Sequence, residues 1–142
     1  MYLSKQDIIM ILDEYLDNQN KYEKKYGDKT IVFMEVGMFY EIYGVNNNKE
    51  KLGKVSEISD ILNIQMSRKN KSIIENSRNN PLMAGVPNHS AKKYISILLN
   101  PIIPNATNKV LNIMNFSSGN IKIDKINDDF QVKRISFSYR SS

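Results

Sequence analysis

Cysteine is absent from this chain of 142 residues. No disulfide framework and no thiolate metal site can form, which fits an intracellular location, whether cytoplasm, nucleoid, nucleus or viral factory. Histidine occurs once, at position 89. No glycine-rich Gly-x-x-x-x-Gly-Lys loop appears, so no nucleotide-hydrolysis site is visible. The catalytic inventory is thin, and no cofactor or metal is expected. Long apolar runs are missing too: none approaches the ~18 residues of a membrane span. The first apolar stretch, Ile8 to Leu12, is too short for a signal-peptide core and is flanked by Asp7 and Asp13. A membrane is therefore not an expected partner. A strong charge of one sign is also lacking. The net charge is +5, with a balance of +2 over residues 1–100 and +3 over residues 101–142. A chain defined by its electrostatic footprint on nucleic acid would carry more.

Hydrophobic content is 41% and charged content 25%, ordinary for a folded domain, and the length allows one domain with a real core. Asparagine is abundant, with 18 residues; its AT-rich codons make this a statement about the genome rather than about function.

The order of elements is readable. Ser4 caps a helix, with Asp7 as a weak capping box. Ile8, Leu12, Tyr15, Gln19, Tyr22 and Tyr26 follow helical spacing, and Gly27 stops it. Its tyrosine stripe reads as core. Ile31 to Val36 is a β-like run, Gly37-Met38 a tight turn, and Phe39 to Tyr43 the second arm of a hairpin. Asn46-Asn47-Asn48 opens a loop. A second helix carries Val55, Ile58, Ile61 and Leu62 on one face, and Asn63 to Ser67 reads as a short strand. Residues 68–80 read as a mobile polar stretch, in which Arg68, Lys69, Lys71 and Arg78 concentrate positive charge. Pro81 to Pro87 is a short strand or turn, and a third helix starts near Asn88 to Ser90. It carries Tyr94, Ile97 and Leu98 on one side and ends at Pro101 and Pro104. Lys109 to Phe116 and Ile121 to Ile126 suggest a further hairpin.

On the hairpin, side chains alternate, so Phe39 and Glu41 share one face and Tyr40 and Ile42 the other. A carboxylate is rarely buried without a partner. The Phe39/Glu41 face combines an apolar wedge with a hydrogen-bond acceptor, which suits a flat, polar-edged object such as a base. An ordinary edge strand carries the same triplet. Glu35 and Glu41 could also face each other across the hairpin and, with His89, form a small nuclease-like set.

The run Met34 to Tyr43 resembles the mismatch-recognition motif of the MutS DNA mismatch-repair family. Upstream, Tyr22-Glu23-Lys24-Lys25-Tyr26-Gly27 is similar in sequence and spacing. Leu62-Asn63-Ile64-Gln65-Met66-Ser67-Arg68-Lys69 resembles the Leu-x-Ile-x-Leu-Thr-basic segment of that family. Pro81 to Ser90, with Tyr94 and Leu98, resembles its Met-Ala-Gly-x-Pro-x-His block. Three blocks in order cover about residues 13–100. The resemblance implies an α+β fold, a small mixed sheet flanked by helices, as in MutS domain I, with an atypical C-terminal part. It implies residues 1–100 as the recognition domain and 101–142 as a divergent tail, a remnant of the linker into a second domain.

By the same resemblance, Phe39 is a stacking wedge and Glu41 a base hydrogen-bond partner. Arg68, Lys69 and Lys71 contact phosphates, while Gly37, Gly85, Pro87 and His89 are structural parts of the motif. The partner is mismatched double-stranded DNA, with the other MutS domains or mismatch-repair subunits acting in trans. With no ATPase domain in this chain, no enzyme is expected. The alternative is a truncated remnant kept as an interaction module without DNA binding. The family's Gly-x-x-Val strand and Glu-Gln ending are replaced here by Pro101-Ile102-Ile103-Pro104. The sheet is therefore expected to lack one strand and expose an edge.

Overall fold

A computed structural model describes residues 4–99, 112–117, 120–126 and 132–133. Helix α1 spans Lys5–Tyr26, about 33 Å at 1.5 Å per residue. Its start is a complete capping box. The Asp7 amide donates to Ser4 Oγ at 3.0 Å, and the Ser4 amide donates to the Asp7 carboxylate at 3.2 Å. Gly27, at φ 108°, takes a conformation that few other residues adopt and ends the helix. Leu12, Tyr15, Leu16 and Gln19 are buried along its inner face. The tyrosine stripe leaves the core as it runs: Tyr22 is half-buried, and Tyr26 lies exposed, stacked on it at 6.0 Å.

Strands β1 (Thr30–Val36) and β2 (Phe39–Asn46) form the expected hairpin. Its loop is Gly37-Met38, with Gly37 at φ +57°, the positive angle that two-residue hairpin loops demand. The β1–β2 ladder pairs Val36 with Phe39, Glu35 with Tyr40 and Met34 with Glu41, and there it stops. Beyond that point α1 supplies the partners. Tyr15 Oη donates to the Val32 carbonyl at 2.7 Å and faces the Tyr43 amide. Gln19 Nε2 donates to the Thr30 carbonyl at 2.9 Å, while its Oε1 accepts from the Val32 amide at 2.8 Å. Complete burial raises the Tyr15 pKa well above its ordinary value, so the phenol is a neutral donor at any physiological pH.

Next come β3 (Lys51–Leu52), α2 (Val55–Leu62), β4 (Ser67–Arg68), β5 (Leu82–Pro87), a 3₁₀ turn (Asn88–Ser90) and α3 (Ala91–Leu99). Strands β6 (Asn112–Ser117), β7 (Asn120–Ile126) and β8 (Val132–Lys133) follow. The sheet order is β4-β5-β2-β1-β6-β7-β8, with β3 on β2. It is mixed, because β1 and β6 run parallel while the other pairs are antiparallel. Alternation along the strands makes two cores. Val32, Met34, Tyr43 and Val45 meet Leu12, Tyr15 and Leu16 of α1 on one face. Ile31, Phe33, Tyr40, Ile42, Ala84 and Val86 meet α2 and α3 on the other.

The α+β architecture stands as expected, with three differences. Asn63 adopts a left-handed conformation at φ 54° and caps α2, so of the expected 63–67 strand only Ser67 joins the sheet, paired into it together with Arg68. Residues 68–80 are held by a dense set of hydrogen bonds, described below. The sheet does not end at β1: β6 lies parallel along it, from Thr30↔Asn112 to Met34↔Phe116. The alternating run that suggested a hairpin pairs as one with β7, and its first arm covers the β1 edge without the family's Glu-Gln ending. Residues 100–111 lie outside the described residues, including the prolines expected to end the third helix.

Truncating Gln19 removes hydrogen bonds to two buried backbone groups, the Thr30 carbonyl and the Val32 amide. Gln19→Ala should lower the unfolding free energy by about 2–4 kcal/mol, whereas the exposed neighbour variant Asn20→Ala should change it by under about 0.5 kcal/mol. Urea denaturation followed by circular dichroism measures both.

Candidate nucleic-acid interface

The hairpin loop projects two apolar residues into solvent. Met38 is 70% and Phe39 48% exposed. Exposed hydrophobics of this size on a rigid two-residue turn point to a contact surface. The turn is braced from behind, since the Asn88 amide donates to the Met38 carbonyl at 2.8 Å and Phe39 pairs with Pro87 across the ladder. Pro87 and the 3₁₀ turn thus support the tip of the hairpin. His89 itself is exposed in that turn.

Glu41 lies two residues along β2 from Phe39 on the same face, half-buried, as alternation requires. Opposite it stands Gly85. A Cβ on Gly85 would sit 3.3 Å from Glu41 Cγ and 3.2 Å from the Tyr40 carbonyl oxygen, so glycine leaves the carboxylate its lateral room. Tyr43 Oη donates to Glu41 Oε1. Tyr43 is buried, its ring edge-on to Tyr15 at 5.2 Å and 75°. The Lys69 ammonium sits 5.8 Å from the Tyr43 ring centroid. Phe39, Glu41, Tyr43 and Lys69 thus make a continuous line on one face of the sheet, about 14 Å from Phe39 to Tyr43 at 3.4 Å per residue.

The other basic residues divide. Arg68 pairs with Leu82 on the opposite face of the sheet. Its Nε donates to the Ile73 carbonyl at 2.7 Å and its Nη2 to the Lys71 carbonyl at 3.0 Å. Lys71 is exposed. Arg78 faces three carboxylates, Asp13 at 3.1 Å, Asp17 at 3.2 Å and Glu50 at 3.4 Å, and so pins its loop to α1.

The 69–80 segment is built around the buried Asn80 side chain. Its Oδ1 accepts from the Asn70 amide, and its Nδ2 donates to the carbonyls of Asn70, Ile73 and Glu75. Asn76 and Asn47 tie the segment to the end of β2. The asparagines read as codon bias therefore include four whose side chains shape this loop, Asn47, Asn76, Asn80 and Asn70, the last accepting from the Ser72 amide and hydroxyl. Its apex exposes Ile74 at 87%.

The nuclease-like arrangement does not form. Glu35 pairs with Tyr40 and Glu41 with Met34, so the two carboxylates project from opposite faces of the sheet. His89 sits in the 3₁₀ turn beyond β5. Among the described residues no group of three or more His, Cys, Asp or Glu side chains could hold a metal ion, and no helix is long and apolar enough to cross a membrane.

The sequence matches the family MutS domain I over residues 16–103. It is 34% identical over 87 residues to a protein of Acanthamoeba polyphaga mimivirus named as a DNA mismatch repair protein mutS homolog. That alignment covers 61% of this chain and 8% of the viral protein. The chain thus spans a small part of the length of the curated relative it matches.

Loss of the Asn80 carboxamide should open the 69–80 loop while leaving the sheet intact. In Asn80→Ala, amide exchange at Asn70 should quicken by roughly 30-fold or more, for about 2 kcal/mol of lost local hydrogen bonding. The amides of β2 should be unchanged. Hydrogen–deuterium exchange read by mass spectrometry decides it.

Proposed function

This chain belongs to the MutS domain I family, and from that premise we propose that it binds duplex DNA at mispaired or distorted steps without catalysing a reaction. The reading is carried by one observation: an exposed Phe39 on a braced turn, with a carboxylate two residues behind it on the same face. A mispaired step is poorly stacked, so opening it is easier than opening a matched step. Phe39 enters from the minor groove, stacks on one mispaired base and kinks the duplex. Specificity then arises from deformability rather than from base sequence.

Glu41 would repel phosphates as a bare charge. Its place beside the wedge makes sense when the carboxyl hydrogen-bonds a base edge. Lys69 and Lys71 supply sequence-blind phosphate contacts, each adding about 0.9 to the salt slope of log affinity. Arg68 contributes chiefly by shaping their loop, because two of its three nitrogens already bind carbonyls. With so few phosphate contacts the domain binds weakly by itself. The remaining machinery of mismatch repair comes from other MutS domains or subunits.

Fluorescence anisotropy of a G·T-mismatched duplex against its matched control at low salt tests this. The wild-type chain should prefer the mismatch, and Phe39→Ala should lose about 1–3 kcal/mol of stacking, a 5- to 150-fold drop. Equal, weak and salt-sensitive binding of both duplexes by both proteins would refute the reading and favour a remnant kept as a protein-interaction module.

A further inference from the structure

Resting on that reading, we propose that Tyr43 is the positioning residue for Glu41. Its phenol holds one carboxylate oxygen so that the other, Oε2, is presented to the base edge. The argument begins with mobility. A glutamate has three rotatable side-chain bonds, and a carboxylate that must meet a base edge beside an inserted ring gains from being fixed beforehand. Tyr43 does this by donating to Oε1. Among the described residues Glu41 has no other hydrogen-bond partner, so Oε2 is the atom left over.

Tyr43 can fix its neighbour because it is itself immobile. It is buried, with its ring against Tyr15, and the Tyr15 hydroxyl is in turn bonded to the Val32 carbonyl. The Lys69 ammonium over the Tyr43 ring adds a cation–π contact from the solvent side. Gly85 leaves open the flank of Glu41 that a Cβ would crowd. The chain of contacts runs from α1 through two tyrosines to the carboxylate, without touching Phe39. The Tyr43 hydroxyl therefore governs discrimination between mismatched and matched DNA, whereas the general affinity set by the lysines depends at most on the Tyr43 ring under Lys69, which Tyr43→Phe keeps. With Oε1 engaged, the base receives a single hydrogen bond through Oε2, as acceptor when the carboxyl is ionised and as donor when it is protonated.

The test uses the whole chain and two readouts. In the free protein, labelled with ¹³C at glutamate carboxyls and with Glu41 assigned through Glu41→Gln, the Glu41 signal should move in Tyr43→Phe and stay put in Phe39→Ala. In anisotropy titrations, Tyr43→Phe should lower the ratio of mismatched to matched affinity about 5- to 10-fold while leaving matched-duplex affinity unchanged. It should add nothing further in the Glu41→Ala background, the non-additivity expected of residues acting as one unit. Gly85→Ala, which crowds Glu41 without altering Tyr43, should lower the same ratio and guards against misfolding of the buried tyrosine variant. An unmoved carboxyl signal, or a wild-type ratio retained in Tyr43→Phe, overturns the proposal. A moved signal in a wild-type protein that never prefers the mismatch overturns the mismatch reading itself and the positioning role with it, leaving only a structural contact.

Discussion

The domain depends on how α1 enters the gap between β1 and β2. The two strands are joined by a two-residue turn and pair for three positions, then separate after Met34 and Glu41. Backbone groups left unpaired in a buried gap would destabilise the fold. Tyr15 and Gln19 fill that gap from one helix face, one turn apart, and give Val32 and Thr30 the partners a neighbouring strand would otherwise provide. Beyond Glu41, β2 pairs with β5 and, at its far end, with β3. The separation also puts the Tyr15 ring against Tyr43. The buried polar pair on α1 therefore sets both the shape of the sheet and the footing of the face that carries Phe39 and Glu41.

Close approach at the glycines reinforces the same geometry. At Gly44 a Cβ would lie 2.7 Å from Val55 Cγ1 and 2.8 Å from the Leu52 carbonyl oxygen, so this end of β2 can accept α2 and β3 only without a side chain there. Gly85 performs a gentler version of this service beside Glu41. The buried Tyr15 and Tyr43 lie on the face that carries Phe39 and Glu41, and the loop organised by Asn80 is tied to the opposite end of β2.

Much of this was legible in the sequence, because periodicity and turn chemistry are local. The capping box at Ser4, the stop at Gly27, the hairpin through Gly37-Met38 and the shared face of Phe39 and Glu41 follow from spacing alone. What stayed hidden is tertiary. Gln19 looked like one more position of a helical stripe, and only the separation of β1 and β2 gives its carboxamide a purpose. Arg78 read as part of a basic loop, yet three carboxylates from distant segments surround it. Residues 68–80 read as mobile because polar composition is the usual mark of a solvated loop, and nothing local reveals that one asparagine organises it. The tyrosine hydroxyl that reaches Glu41 is two residues away on the same strand, a spacing that was visible, though the burial that gives it meaning was not.

The parallel pairing of β1 with β6 has a kinetic consequence. The hairpin joins residues a few positions apart, but Thr30 and Asn112 are 82 residues apart in the chain. Contacts of such high sequence separation carry a loop-closure entropy that local ones avoid, and they slow the search for the native topology. During synthesis the β1–β2 hairpin and its helix are available long before the strand that covers their flank. For that interval β1 is a template for any extended segment nearby, so the domain is most vulnerable to aggregation just before its last strands arrive.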